Sequence, residues 1–451
     1  MKESENSIWQ KLNTWEVKRL GILMILFFMA MSVFSALKPL RKSLFIGYFK
    51  DNPLHILETT LGGAQAEQLA KLSVVIVAVF VAIGFTRLIR IYSMRKVLLM
   101  VCAVAISGLI ASCFFIGDPG AVFVWSFYIF GDFINSLIIT ILWLLLHNTL
   151  TTKEAKGIYS VIGIGTVAGG MFGALFVYQS VSVLGREAIV ALSAIPIFVV
   201  GMLAYFMACR ITDSRGKMKN CMVVYEDNRF DKEKNESTME MLKKDTVSTG
   251  SKRYWLGIAL LVGIYEISSG IIDFQLSVAV ENVQATAYER DMYFGIIGQV
   301  QNFLALLLQV FVTGWVLKRW GVGVALLILP FATVFGSVGF LLLPTLASAM
   351  FLSVSDNALN YSVTQSAKET LYVPTNSEER VAAKTLIDIF VQRFAKAFAV
   401  ILNLFLVALI GLQNIRWLSV LAIALMIGWI IVARFTSRKF ESFVIEEPSH
   451  V

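Results

Sequence analysis

Apolar residues along this chain come in long runs, without the alternation of a half-buried strand or the polar stripe of a surface helix. The runs are roughly 20 residues long, the length at which a helix crosses a hydrocarbon layer. The pattern predicts about twelve such helices, over residues 20–47, 71–92, 96–116, 120–149, 157–182, 187–210, 254–281, 292–317, 321–343, 346–366, 382–412 and 415–434. The first run continues into further charged helix and lacks a small-residue cleavage site, so it reads as a retained helix and not as a removed signal.

One interruption is long. From Ile211 to Arg253 hydrophobicity gives way to a mixed-charge, lysine-rich segment that includes "TDSRGKMKNCMVVYEDNRFDKEKNESTMEMLKKD". That predicts an N-terminal six-helix bundle over 1–210, a cytoplasmic linker over 211–253 and a C-terminal six-helix bundle over 254–451. The halves repeat weakly. A basic turn, "TRLIRIYSMRK", follows the second run and "LKRWG" follows the eighth. The expected fold is therefore all-α and polytopic, with twelve transmembrane helices in two parallel six-helix bundles. This is the architecture of the major facilitator superfamily, in which substrate binds near the midplane between the halves.

Composition supports a membrane chain, with 57% hydrophobic and only 16% charged residues. The formal charge of +8 does not point to nucleic acid, because its distribution matters more than its sum. Lys and Arg gather in the N-terminal tail, after the second, fourth and eighth runs and in the C-terminal tail. The alternate connections hold little beyond Lys50, Arg186, Arg290 and Arg416. This bias places both termini in the cytoplasm; the expected setting of such a multi-pass protein is a bacterial inner membrane. Cys102, Cys113, Cys209 and Cys221 have no metal-ligand spacing. The histidines, His55, His147 and His450, belong to no hydrolase or metalloprotease motif. The reading is of a non-enzyme that needs no cofactor and no metal.

The chemistry lies in charges placed where apolar residues are expected. In "SALKPLRKSLFIGYF" (Ser35 to Phe49), Lys38, Arg41 and Lys42 sit within the first run; Arg393 and Lys396 lie in the eleventh. The acids are Asp132 in the fourth, Glu266 and Asp273 in the seventh, Asp356 in the tenth and Asp388 in the eleventh. Such residues need partners or a wet cavity, and mark a transport path by default. Glu266 and Asp273, seven apart, share a helix face; Asp356, Asn360, Thr364 and Lys368 step by four along the tenth helix. Gln299, Asn302 and Gln309 make a polar edge suited to interhelical hydrogen bonds. Gly165, Gly169 and Gly173, also four apart, make a face for close helix packing. The dense cationic cluster favours an anionic ligand, because Arg grips phosphate or carboxylate through two parallel hydrogen bonds. The acids then hold the empty carrier's cations until the anion displaces them, or carry protons.

Two stretches carry a family likeness. "FGDFINSLIITILWLLLHNTLTTKEAKGIYSVIGIGTVAGG" (Phe130 to Gly170) and "SAKETLYVPTNSEERVAAKTLID" (Ser366 to Asp388) resemble the ATP:ADP antiporters, the nucleotide transporters of plastids and intracellular bacteria. The resemblance implies a twelve-helix carrier that exchanges ATP for ADP or moves nucleotides with protons. It carries the family's required charges onto Arg41, Asp132 and Asp273, with Lys368 or Lys384 as the fourth. The first-helix motif "KPLRKS" and Ser277 depart from the usual pattern, and Asp132 stands where glutamate is more familiar.

The expectation is a secondary active transporter working by alternating access, exchanging or importing nucleotides of the ATP/ADP type. Its substrate-binding set is Lys38, Arg41, Lys42, Asp132, Asp273, Lys368 and Lys384. Its coupling or gating set is Glu266, Asp356, Asp388, Arg393 and Lys396. The partners expected are a small anionic nucleotide, protons and the lipid bilayer, with the protein a monomer. Two rivals remain open: a proton-coupled carrier of another organic anion or an amphiphilic, lipid-like molecule, and a non-transporting receptor or scaffold.

Overall fold

A computed structural model of the chain describes residues 14–56, 59–92, 94–149, 152–210, 249–283, 286–372, 383 and 386–446. The 211–253 linker lies mostly outside these residues. The secondary structure is almost wholly helical. Helix α1 (Thr14–Asp51) is followed by a short antiparallel hairpin, β1 (Leu54–Ile56) with β2 (Thr59–Leu61), that pairs His55 with Thr60. Then come α2 (Gly63–Ile91), α3 (Met94–Cys113), α4 (Ala121–Thr149), α5 (Thr152–Leu192) and α6 (Ala194–Arg210). The remaining helices are α7 (Thr249–Asn282), α8 (Ala287–Leu307), α9 (Gly321–Leu342), α10 (Leu346–Leu359), α11 (Gln392–Ile410) and α12 (Leu418–Glu446).

Among the described residues, ten helical stretches are long and apolar enough to cross a membrane. One of them, Ile162–Phe206, runs 45 residues through α5 and α6. At 1.5 Å per residue that is roughly twice the thickness of a hydrocarbon core. Gly185 breaks it, with φ 78° and ψ 169°, a conformation that a residue with a Cβ rarely adopts. Phe80, Phe114, Phe335, Phe394 and Leu409 project outward, as side chains facing lipid do.

Two compact units are present. The first comprises Met1–Leu44, Val77–Glu226 and Asp291–Gln299. Its core joins Leu26, Phe27 and Leu40 of α1 to Leu109 of α3, Ile141 of α4 and Val181 of α5. The glycine face predicted on α5 meets α1 here. A Cβ at Gly169 or Gly173 would overlap the Phe28 or Ser32 carbonyl, and one at Gly165 would press on Met24. Backbone-to-backbone approach of this kind gives van der Waals contact that larger residues would prevent.

The second unit comprises Phe45–Ile76, Asp227–Arg290 and Val300–Val451. Helix α7 packs against α10, α11 and α12. Its core sets Tyr254, Ile258 and Leu261 against Leu326 and Leu329 of α9 and Trp429 of α12. Two hydrogen bonds tie side chains within it: Trp429 Nε1 donates to the Leu261 carbonyl at 2.9 Å, and Gln275 Nε2 to Ser419 Oγ at 2.9 Å. Three π turns interrupt its helices, at Leu308–Thr313 after α8, Asn360–Thr364 after α10 and Leu386–Val391 before α11. The first two pack on each other, and Gln309 bonds Ser366 across them at 3.4 Å, the interhelical role expected of that amide.

The glycine face gives a direct test. Gly169→Ala should cost about 1–3 kcal/mol by overpacking and lower the melting temperature in detergent. Gly163→Ala, where a Cβ would meet nothing within 4 Å, should leave it unchanged.

Candidate functional site

Several of the charged side chains buried in these helices are paired with opposite charges. In the first unit Arg41 of α1 lies against α4. Its Nη2 donates to Asp132 Oδ1 at 2.7 Å and its Nη1 to the Tyr128 carbonyl at 3.2 Å. The guanidinium carbon stands 5.3 Å from the Tyr128 ring centre, a cation–π distance. Gly131 leaves room for this, since a Cβ there would come 3.1 Å from Arg41 Cδ. The Arg41 side chain is 7% exposed and that of Asp132 35%, so the acid is the more open partner. Asp132, Ser136 and Thr140 step by four along α4 and are linked by hydroxyl-to-carbonyl bonds. They form a polar stripe that suits a water-lined wall and not lipid. Lys42 Nζ stands 5.1 Å from the Phe294 ring centre, and Lys38 is exposed on α1.

A second ion pair in this unit is buried more deeply. Arg186, placed just after the break at Gly185, grips Asp291 with two bonds, Nε to Oδ2 at 2.5 Å and Nη2 to Oδ1 at 2.9 Å. It also donates from Nη2 to Ser43 Oγ at 3.1 Å.

In the second unit Asp273 of α7 meets Lys71, a cation outside the predicted set. It accepts from Lys71 Nζ of α2 at 2.5 Å. Lys71 also lies 3.3 Å from Glu67, which in turn accepts from Ser277 Oγ at 2.8 Å. Glu266 accepts from Gln392 Nε2 at 2.6 Å and lies 3.7 Å from Lys396 Nζ, joining α7 to α11. Asp356 of α10 is 1% exposed. Ser269 Oγ donates to its Oδ2 at 2.8 Å and Tyr265 Oη at 3.5 Å, while Oδ1 has no hydrogen-bond partner among the described residues.

The structure thus brings together Arg41 with Asp132, and Glu266 with Lys396. Glu266 and Asp273 share a helix face but turn to different neighbours, α11 and α2. The π turn at Asn360–Thr364 falls within the four-residue steps from Asp356 to Lys368; the residue it inserts offsets the drift that three such steps accumulate in a 3.6-residue helix, and Asp356 and Thr364 are buried with Asn360 and Lys368 half-buried. Lys368 lies half-buried in the last turn of Gln365–Leu371, and Arg393 is exposed on α11. Lys384 and the Asp388 side chain lie outside the described residues.

Residues 120–440, well over half of the chain, match one known family, described as TLC ATP/ADP transporter. The chain belongs to the TLC ATP/ADP transporter family.

Its relatives are distant. The chain is 22% identical over 362 residues to the plastidic ATP/ADP-transporter of Solanum tuberosum, covering 74% of this chain and 56% of that one. It is 25% identical over 373 residues to the chloroplastic ADP,ATP carrier protein 1 of Arabidopsis thaliana, covering 74% and 57%. Against ADP,ATP carrier protein 2 of Chlamydia trachomatis serovar D the identity is 21%, over 70% of this chain and 66% of that one. The chain therefore spans just over half the length of the plant relatives it matches.

Solved structures share the fold at low identity. A POT family transporter in complex with 5-aminolevulinic acid superposes with TM-score 0.66 at 12% identity, over 93% of this chain and 97% of that one. The nucleoside transporter NupG gives 0.56 at 13%, over 94% and 98%. These likenesses show a shared all-helical fold and no more.

Four paired charges of this TLC-family chain are inconspicuous in its sequence. Arg186 and Asp291 sit at the ends of apolar runs and read as loop residues. Glu67 and Lys71 lie in "GGAQAEQLAK", whose polarity hides the start of α2. Removing one partner of a buried pair leaves an uncompensated charge, at a cost of about 3–5 kcal/mol. Asp291→Ala should therefore lower the melting temperature sharply. The double variant Arg186→Leu with Asp291→Leu should recover most of the loss, as thermal unfolding would show.

Proposed function

We propose that this chain is a secondary active transporter that exchanges nucleotides of the ATP/ADP type across a membrane by alternating access. In this reading α1–α12 are twelve membrane helices in two six-helix halves, with both termini cytoplasmic as the Lys and Arg bias requires. The single observation that carries the substrate is Arg41, a forked cation inside a membrane helix, held at 2.7 Å by the more open Asp132. A guanidinium presents two parallel N–H donors to a phosphate, as it does to a carboxylate. The empty carrier satisfies Arg41 with Asp132. An arriving phosphate takes its place and leaves the acid facing water. Lys38 and Lys42, on the same face of α1, add positive charge along that approach. Glu266 with Lys396 forms a further pair able to re-form as helices shift.

One observation favours proton coupling alongside exchange. Asp356 is enclosed by Ser269 and Tyr265 hydroxyls, and a buried carboxyl held by hydroxyls in place of a cation is suited to take up a proton.

Labelled ADP uptake by the full-length protein in proteoliposomes tests the role of Arg41. Arg41→Ala is expected to abolish uptake. Arg41→Lys, which keeps the charge and loses the fork, is expected to retain partial uptake. Losing one such contact corresponds to about 1.5–3 kcal/mol, roughly ten- to a hundredfold in affinity. Unchanged uptake in Arg41→Ala would remove the cation from the binding step.

A further inference from the structure

The geometry points to Lys71 as a substrate-binding residue: an ammonium on α2 that takes a phosphate of the nucleotide in exchange for Asp273, while Glu67 and Ser277 keep it in place. This rests on the nucleotide-transport reading above.

Helix α2 is anchored at its start. Its first amides, Gly63 and Ala64, donate to the two carboxylate oxygens of Glu281 at the end of α7, both at 2.7 Å. A carboxylate at a helix N-terminus satisfies donors that otherwise lack partners and complements the helix dipole. Two turns further on, roughly 12 Å along the axis, the same two helices meet again through Lys71 and Asp273. Lys71 is therefore held against α7 by a fixed register.

Its orientation excludes lipid snorkelling. The outward-projecting residues of α2 include Phe80, nine positions beyond Lys71 and so about 180° around the helix. Lys71 turns to the protein side.

The two acids around it differ in a way that assigns them different tasks. Glu67 is fully buried, at 0% exposure, and is tied by Ser277. Asp273 is 41% exposed. An acid that is enclosed and hydrogen-bonded positions its lysine, whereas one half open to water can leave. An acid that far open on a membrane helix faces a wet space, because lipid would not tolerate it.

Charge then sets which ligand can make the exchange. An ammonium already holding one carboxylate gains from a swap only if the arriving group carries more negative charge than the departing one. A terminal phosphate of ADP or ATP does. A ribose hydroxyl or a base does not. Asp273 is thus a threshold that a neutral nucleoside fails to cross, and it recaptures Lys71 when the nucleotide leaves.

Direct binding to the purified full-length protein tests this with ATP, ADP and adenosine as probes. Lys71→Gln is expected to weaken ADP and ATP binding by roughly ten- to a hundredfold and to leave adenosine binding unchanged. Asp273→Asn removes the competitor. It is expected to tighten ADP binding by about fivefold or more while slowing ADP exchange in proteoliposomes, an opposition that a purely structural role would not produce. If a folded Lys71→Gln binds ADP as the parent does, the assignment of Lys71 falls and the transport reading stands. Should Lys71→Gln fail to fold, Asp273→Asn decides: weaker or unchanged ADP binding overturns the proposal. A parent protein that binds neither ADP nor ATP overturns the nucleotide reading itself, and this inference with it.

Discussion

An ionised side chain inside a bilayer must be answered by opposite charge or by water. Nearly every distinctive feature of this chain follows from that constraint. Arg41 is answered by Asp132, Arg186 by Asp291, Lys71 by Asp273 and Glu67, and Lys396 by Glu266. The pairs are of two kinds. Arg186 with Asp291 is doubly bonded around a fully buried carboxylate, so it fixes helices. Arg41 with Asp132 and Lys71 with Asp273 each set a cation beside a more exposed acid, the arrangement on which the proposed exchange for phosphate rests. Replaceable pairs are costly as architecture and useful as binding sites.

Close packing makes room for this arrangement. The glycine face of α5 lets α1 approach to backbone contact, which fixes the helix that carries Lys38, Arg41 and Lys42. Gly131 clears the path of the Arg41 side chain to Asp132. In the second unit the anchoring of Gly63 and Ala64 on Glu281 does the same for Lys71. Small residues and capped termini thus decide where the charges fall, and the charges decide what the protein can bind.

Most of the membrane-helix plan was legible because hydropathy over about 20 residues is a strong signal. Arg41 and Asp132 were legible for the same reason, as charges conspicuous against an apolar background. Lys71 and Glu67 were not, since the polar opening of α2 reads as a loop until Glu281 is known to cap it. Arg186 and Asp291 were hidden by lying at run ends, where a charge usually means solvent. The stepping from Asp356 to Lys368 was legible as spacing, whereas the π turn within it leaves no mark in the sequence. Pairing is a property of facing helices, and a single sequence determines which residues need partners without determining which partners they meet.

The central claim is that the cations within these helices serve an anionic nucleotide and not a neutral or apolar molecule. The most direct measurement is the uptake of labelled ADP beside that of labelled adenosine by the unmodified protein in proteoliposomes loaded with ATP. Rapid ADP uptake is expected, with adenosine uptake no greater than that of protein-free vesicles. Adenosine uptake equal to or above that of ADP would contradict the claim.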